Sequence, residues 1–230
     1  MEDKSKKVSI ILSVYNAQDT IGNAIESILS QTYENIELLI LNDKSNDDTQ
    51  KIIETFESNK IKVFKNKKNL GLTKSLNILI NHSKGEYIAR QDADDVSFKD
   101  RLEKQITLLE DKNLDFCTSR AKNEQTNKTI PRFSNYFSPH LVTKFKNPFI
   151  HGTLLIKKSS LLNIGLYDEK FYYAQDYKLF VDMLQNNYKF EIIKYPLYSL
   201  NMKNNLSEKF SLEQNYYADC VRKGMIPNKS

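Results

Sequence analysis

The sequence predicts an α/β fold, with a mostly parallel central sheet flanked by helices in one large domain. Three observations predict it. Val8 to Val14 (VSIILSV) and Glu37 to Asn42 (ELLILN) are nearly unbroken aliphatic runs, as strands covered on both faces must be. Segments with apolar residues at helical spacing alternate with these runs. Acids and amides gather just past the carboxyl ends of the strands, where open α/β sheets bind ligands. With 230 residues, the chain is long enough to bury about 70–75% of its unfolded surface in a single core.

The first strand passes through Tyr15-Asn16-Ala17 into a helix with Ile21, Ala24, Ile25, Ile28 and Leu29 on one face. Asn16 or Asp19 is available as its N-cap. Asp43 directly follows the second strand, and a helix carrying Ile52, Ile53 and Phe56 completes a β-α-β unit. Next comes a strand at Ile61 to Phe64, set among Lys60, Lys62, Lys65, Lys67 and Lys68 as an edge strand would be; phosphate or lipid contact is the alternative. After a turn at Asn69-Leu70-Gly71, a helix presents Leu72, Leu76, Leu79 and Ile80. The strand Glu86 to Arg90 delivers Gln91 and the cluster Asp92-Ala93-Asp94-Asp95, followed by a helix over Phe98 to Glu110 and a strand over Leu114 to Thr118. From Ser119 to Asn147 no period stands out, and Phe133, Tyr136 and Phe137 lie in what reads as a loop-rich region. A strand at Thr153 to Ile156, a helix at Asp176 to Leu184 and a closing strand at Lys189 to Ile193 follow, while the segment from Asn201 is polar and helical at best.

Hydrophobic residues at 40%, charged residues at 27%, 6 Gly and 5 Pro describe an ordinary globular chain. Its formal charge of +5 suits nucleic acid, anionic lipid or phosphorylated substrates and does not choose among them. No apolar run nears the roughly 20 residues of a membrane span. Met1 to Lys7 lacks the apolar stretch of a signal peptide, so the expected compartment is the cytosol. Cys117 and Cys220 offer neither a disulfide framework nor zinc spacing. Tyr15-Asn16-Ala17-Gln18 is not a glycine-rich phosphate loop, which counts against a sugar nucleotidyltransferase, and the missing Gly-x-Gly-x-x-Gly excludes a dinucleotide-dependent dehydrogenase.

Three aspartates within four positions, Asp92, Asp94 and Asp95, repel one another unless something positive binds. A divalent cation resolves this, and oxygen-only ligands suit Mg2+ or Mn2+, whose shell substrate phosphates would complete. Capping or turn aspartates are the alternative.

The stretches VSIILSVYN at 8–16, LNDKSNDDT at 41–49, NLGLTKSLN at 69–77 and GEYIARQDADD at 85–95 occur in one order and rhythm. In these the chain resembles the family-2 glycosyltransferases, bacterial enzymes that build capsule, O-antigen and related polysaccharides, from about Val8 to about Tyr198. The resemblance implies a GT-A fold, a single Rossmann-like catalytic domain over residues 1–200, with a donor-binding half at about 8–118 and an acceptor and catalytic half at about 119–200, then a polar extension over 201–230. It also implies roles. Tyr15 would lie against the nucleobase with Asn16 beside it, Asp43 would hydrogen-bond the base, and Asn69 with Gly71 would shape the turn of the donor site. Lys74 either approaches the diphosphate or sits on a solvated helix face. Asp92 would lie near the ribose or the waters of the metal, and Asp94, with Asp92, would hold Mn2+ or Mg2+. Asp95 either supports that site or caps the next helix.

Tyr172-Tyr173-Ala174-Gln175-Asp176-Tyr177 resembles the family's acidic pair at a helix start, with Gln175 in place of the usual Glu and Asp176 as the general base of an inverting enzyme. An N-cap is the alternative for Asp176. His151 either faces the site or is a satisfied structural histidine, and Arg101 either balances the carboxylates or lies on a solvated helix face. His82 and His140 read as surface or turn residues, and no histidine near Asn201-Met202-Lys203 offers a further metal ligand.

The activity implied is hexosyl or N-acetylhexosaminyl transfer, with inversion, from a nucleotide diphosphate sugar, favoured as a UDP-sugar, to a glycan or lipid-linked glycan acceptor. Nucleic acid is not an expected partner. A lipid-linked acceptor would place a basic enzyme peripherally on the cytoplasmic face of the inner membrane. A nucleotide-sugar- or carbohydrate-binding module with a decayed site is the competing reading.

Overall fold

The structure is a computed structural model in which residues 6–132, 137–203 and 211–228 are described; Phe133 and Tyr136 lie outside them. The first half alternates as the periodicity requires: β1 (Val8–Val14), α1 (Ile21–Leu29), β2 (Ile36–Asn42), α2 (Thr49–Glu54), β3 (Ile61–Lys65), α3 (Leu72–His82) and β4 (Tyr87–Arg90). The second half contains β5 (Val96–Ser97), α4 (Arg101–Asp111), β6 (Phe116–Asn123), β7 (Thr129–Ile130), α5 (Pro139–Val142), β8 (Leu155–Lys157), α6 (Lys158–Asn163), α7 (Gln175–Gln185), β9 (Phe190–Leu200) and α8 (Ser211–Lys223).

Among the described residues one nine-stranded sheet runs β3-β2-β1-β4-β8-β6-β9-β5, with β7 on β6. The strands β3, β2, β1 and β4 are mutually parallel, β8 runs against both β4 and β6, and β9 is parallel to β6, so the sheet is mostly parallel. Alternate residues feed opposite faces. Ile10, Leu12, Leu38 and Ile40 pack under α1 and α4, whereas Ile11, Leu39, Leu41 and Ile88 pack under α3 and α7. That two-sided burial is why the strands are continuous aliphatic runs. The lysine-rich β3 is an edge strand, and Lys62 and Lys65 are paired with Glu37 and Glu54. Because the chain winds outward from β1 to β3 and then returns to place β4 on the other side of β1, strand order reverses between β1 and β4. A crevice at such a reversal is where open sheets bind ligands.

Several local expectations change. The N-cap of α1 is Thr20, not Asn16 or Asp19, and no side chain caps it. Helix α2 ends at Glu54 because Thr55 and Phe56 donate to Ile52 and Ile53, three residues back, leaving Phe56 packed on the core from outside the helix. Helix α4 begins only at Arg101, since Val96 and Ser97 are drawn into antiparallel pairing with β9. Thr153 belongs to a 3-10 turn, His151–Thr153, and β8 starts after it. The segment after Ser119 is more regular than its sequence suggests: β6 runs on to Asn123, and β9 has 11 residues. Tyr217, Cys220 and Val221 of α8 pack on Phe171, Ala174 and Tyr177, so the polar C-terminal region holds a docked helix.

Of the two readings of Arg101, the solvated helix face is overturned. The side chain is fully buried, and it donates to Gln105 Oε1 (2.9 Å), Ser97 Oγ (2.7 Å), Gln91 Oε1 (3.3 Å) and the carbonyl of Arg90 (2.8 Å). Burial lowers its pKa to about 10, which still leaves it charged. Its guanidinium ties α4 to the end of β4. Arg101→Met removes four hydrogen bonds from buried acceptors, so urea denaturation should show a loss of about 3–5 kcal/mol; a loss below about 1 kcal/mol would mean that the network does not hold the strand end.

Candidate active site

The loops that follow β1 and β2 are laced together. The Asn16 amide N–H donates to Ser45 Oγ (3.0 Å), Ala17 N–H to Thr49 Oγ1 (2.8 Å) and Gln18 N–H to Asp47 Oδ2 (3.1 Å). In return Asn46 N–H donates to Asn16 Oδ1 (2.8 Å), and Asp48 N–H to Gln18 Oε1 (3.0 Å). Asn16 takes a left-handed φ of 50°, which asparagine tolerates. The polar run at 45–49 therefore fixes the loop that carries Tyr15, whose ring is 49% exposed at the end of β1.

The cluster after β4 is held from below. Gln91 is fully buried, and its amide donates to the carbonyls of Asp92 (3.0 Å) and Asp95 (2.9 Å), closing the turn. Arg90, 1% exposed, donates to Asp92 Oδ1 at 2.5 Å, and Asp92 N–H donates to Tyr198 Oη at 3.0 Å. The Asp95 carboxylate is buried and accepts the Asn201 N–H at 2.8 Å. It does not cap α4, whose N-cap is Asp100. Burial, then the charges of Asp92 and Asp94, pushes its pKa well up. Asp94 reaches solvent, but the walls around it withhold enough water that, together with the charge of Asp92, its pKa rises to about 6. The three aspartates thus have three environments. Gly152 closes in from the 3-10 turn, where a Cβ would lie 2.8 Å from Asp92 Oδ2 and 2.6 Å from Tyr198 Oη.

Asp43 is 2% exposed and accepts from Asn66 Nδ2 (2.7 Å), Leu70 N–H (2.9 Å) and Gly71 N–H (2.8 Å), so its carboxylate first anchors the turn at 69–71. Asn69 Oδ1 accepts the Gly71 N–H as well (3.1 Å). Lys74 is exposed on α3. The polar residues on the inner face of α3 bind the second half of the chain. Thr73 Oγ1 donates to the Phe171 carbonyl (3.0 Å), while Asn77 donates to the Tyr167 carbonyl (2.9 Å) and accepts the Tyr167 N–H (3.1 Å).

That segment leads to Asp176, the second residue of α7. Ala174 is the N-cap, at a left-handed φ of 53°, so capping does not explain Asp176. Asn147 Nδ2 donates to Asp176 Oδ2 at 2.8 Å, and Asn147 Oδ1 accepts the Phe149 N–H at 3.0 Å, which fixes the orientation of the amide. Burial raises the pKa of Asp176; hydrogen bonds from Tyr177 and Asn147 oppose the rise, and the charge of Asp92 adds to it. The carboxylates after β4 and at α7 therefore lie within electrostatic reach of one another. Gln175 beside it is buried. His151 Nε2 meets Tyr167 Oη at 2.7 Å, and burial with the nearby Arg90 charge keeps the ring neutral, as in a satisfied structural histidine. His82 and His140 take no part.

Sequence reasoning missed Arg90, Asn147, Gly152 and Tyr198. Arg90 had a signal, a cation inside a strand whose four residues are all buried. Gly152 had a weaker one, as a lone glycine beside His151. Nothing local marks Asn147 or Tyr198.

Residues 9–180 match the family described as "Glycosyl transferase family 2". EpsE of Bacillus subtilis is 38% identical over 166 residues, covering 67% of this chain and 57% of that protein. The UDP-Glc:alpha-D-GlcNAc-diphosphoundecaprenol beta-1,3-glucosyltransferase WfgD of Escherichia coli is 31% identical over 183 residues, covering 78% of this chain and 70% of WfgD. TarS 1-349 of S. aureus, solved with UDP-GlcNAc, superposes with a TM-score of 0.75 at 20% identity over 89% of this chain and 61% of that one. The mannosyltransferase PcManGT from Pyrobaculum calidifontis, solved with GDP-Man and Mn2+, gives 0.74 at 19% over 96% and 65%. The chain thus spans a little over half of EpsE and under two thirds of these two structures. No helix among the described residues is long and apolar enough to cross a membrane, and no three of their His, Cys, Asp and Glu side chains are grouped as a metal cage.

The turn at 69–71 is open to a direct test. Gly71 has φ of 84°, and a Cβ there would lie 2.5 Å from the Tyr172 ring. Gly71→Ala should destabilise the protein by about 1–3 kcal/mol in chemical denaturation; a change within about 0.5 kcal/mol would show that the turn and the ring adjust freely.

Proposed function

The chain belongs to glycosyl transferase family 2 and has the GT-A fold, and from that premise we propose that it is an inverting glycosyltransferase that moves a sugar from a UDP-sugar to a hydroxyl of a lipid-linked glycan in surface polysaccharide synthesis. One observation carries the reading: Asp176 at the start of α7 and Asp92 at the end of β4 lie within electrostatic reach of one another. The relatives favour this donor and acceptor, since WfgD is named for transfer from UDP-Glc to a diphosphoundecaprenol-linked sugar and TarS is solved with UDP-GlcNAc.

In this reading the exposed Tyr15 ring takes the nucleobase, Asn16 holds its loop, and Asp43 with Asn69 shapes the wall at Gly71. Lys74 and Asp92 line the path of the diphosphate and ribose. Asp176 acts as the base. Asn147 donates to its Oδ2, and the carboxylate accepts the proton of the acceptor hydroxyl as that hydroxyl attacks the anomeric carbon. Burial raises the proton affinity of a carboxylate that must take a proton during the reaction. The charge that develops on the leaving diphosphate falls toward the turn at 92–95.

The residues of that turn fit Mn2+ or Mg2+. Asp94 is exposed, its oxygens meet no cation among the described residues, and Asp92 keeps Oδ2 free of Arg90. A site so sparse in protein ligands suits an ion whose shell the substrate phosphates complete. When bound, such an ion neutralises charge on the departing diphosphate.

Release of UDP and transfer of label from a UDP-sugar, with and without Mn2+, test the reading. Asp176→Asn should lower kcat at least about a hundredfold while leaving the donor Kd within about twofold; unchanged turnover would remove the base. Asp94→Ala should weaken Mn2+-dependent donor binding at least about tenfold by calorimetry. The acid limb of kcat should lie above the ordinary carboxylate range, with activity lost as pH falls and the base is protonated. Asn147→Ala removes a hydrogen bond that favours the carboxylate, so the limb should move to higher pH with the alkaline plateau retained; a limb that stays in place would show that Asn147 does not tune the base.

A further inference from the structure

One stretch of the described surface exposes large apolar side chains and cations together. Leu141 and Phe145 lie four residues apart and are 48% and 71% exposed, while Val142 between them is buried. The backbone keeps a helical course beyond α5, since Phe145 and Lys146 N–H both donate to the Val142 carbonyl at 2.9 Å. The end of α8 lies against this turn, where Arg222 Nη1 donates to the Phe145 carbonyl at 3.1 Å. Just past α8, Gly224 at φ of 63° turns the chain, Met225 N–H donates back to the Cys220 carbonyl at 2.8 Å, and Met225 and Ile226 are left 53% and 59% exposed.

Charge separates the possible occupants. Lys144, Lys146, Arg222 and Lys223 are all exposed here, and Asp219, paired with Arg222, is the acid beside them. Four cations around protruding Phe, Leu, Met and Ile side chains are the composition of an interfacial segment, which sinks its apolar tips among the headgroups and sets its cations against anionic lipid. A protein partner of ordinary surface would leave most of that charge unmatched. The position points the same way. Lys146 adjoins Asn147, the hydrogen-bond partner of Asp176, and Tyr177 donates to the carbonyl of Thr143 in the same turn.

We propose that the surface formed by residues 141–146 and 222–226 docks on an anionic lipid bilayer, holding the Asp176 side of the crevice at the membrane. The purpose of docking, access to a lipid-linked acceptor, rests on the function proposed above; the docking itself does not. Flotation with vesicles of phosphatidylcholine containing about 30% phosphatidylglycerol, against phosphatidylcholine alone, needs neither donor nor acceptor, so its failure is distinct from failure of the transfer assay. The protein should float with the anionic vesicles only and be released at about 1 M salt. Phe145→Ser with Ile226→Ser, and separately Lys144→Glu with Lys146→Glu, should each weaken binding at least about tenfold with circular dichroism and thermal midpoint unchanged, since all four side chains are exposed. Absence of binding, or equal binding by both variants, overturns the proposal. So does a concentration-dependent dimer that the same substitutions abolish, which would make the surface an interface between copies.

Discussion

Three carboxylates on one turn are held together by two guanidinium groups buried beneath them. Arg90 reaches Asp92 directly, whereas Arg101 reaches the turn through Gln91 and the carbonyl of Arg90. Taking two cations out of water costs several kcal/mol each unless charge and hydrogen bonds are returned. Here the cost is offset by acids that would otherwise repel one another. The arrangement also gives the acids different surroundings: Asp92 is paired with Arg90, Asp95 ties the exit of β9 through Asn201, and Asp94 remains exposed.

The same turn depends on strands far away in sequence. Tyr198 on β9 accepts the Asp92 N–H, and Gly152 approaches so closely that only a residue without a side chain fits between Tyr198 and Asp92. On the other side of the crevice, Asp43 fixes Gly71, against which Tyr172 packs, and α3 holds Tyr167 and Phe171 through Asn77 and Thr73. The half that carries β1 to β4 and the half that carries Asp176 are therefore joined by buried hydrogen bonds at α3 as well as by β8, which pairs with both β4 and β6.

The parallel strands were legible in the sequence because burial on both faces leaves an unbroken aliphatic run, and the acids were legible because strand ends are fixed by those runs. Arg101 was not. A lone cation on an amphipathic helix looks the same whether its neighbours are water or the buried amides of Gln91 and Gln105, and only the sheet decides between them. Asn147 and Tyr198 were hidden for a related reason: their partners, Asp176 and Asp92, lie 29 and 106 residues away, and a single polar residue has no period. The boundaries that moved, at α4 and β8, lie where β9 and the 3-10 turn impose pairings that local propensity does not contain.

The substitution of Gln175 for the usual acid takes on a physical meaning in this setting. Position 175 is buried, so a glutamate there would place a second dehydrated charge beside Asp176 and raise both proton affinities. The glutamine fills a similar volume without the charge. What tunes Asp176 is then burial and the charge of Asp92 on one side, and the N–H groups of Tyr177 and Asn147 on the other. In the proposed reaction a single acid would suffice as the base, because proton abstraction needs one accepting carboxylate oxygen and not a pair of acids. Glutamine at 175 therefore leaves no second charge beside Asp176, while the carboxylate proposed as the base stays in place.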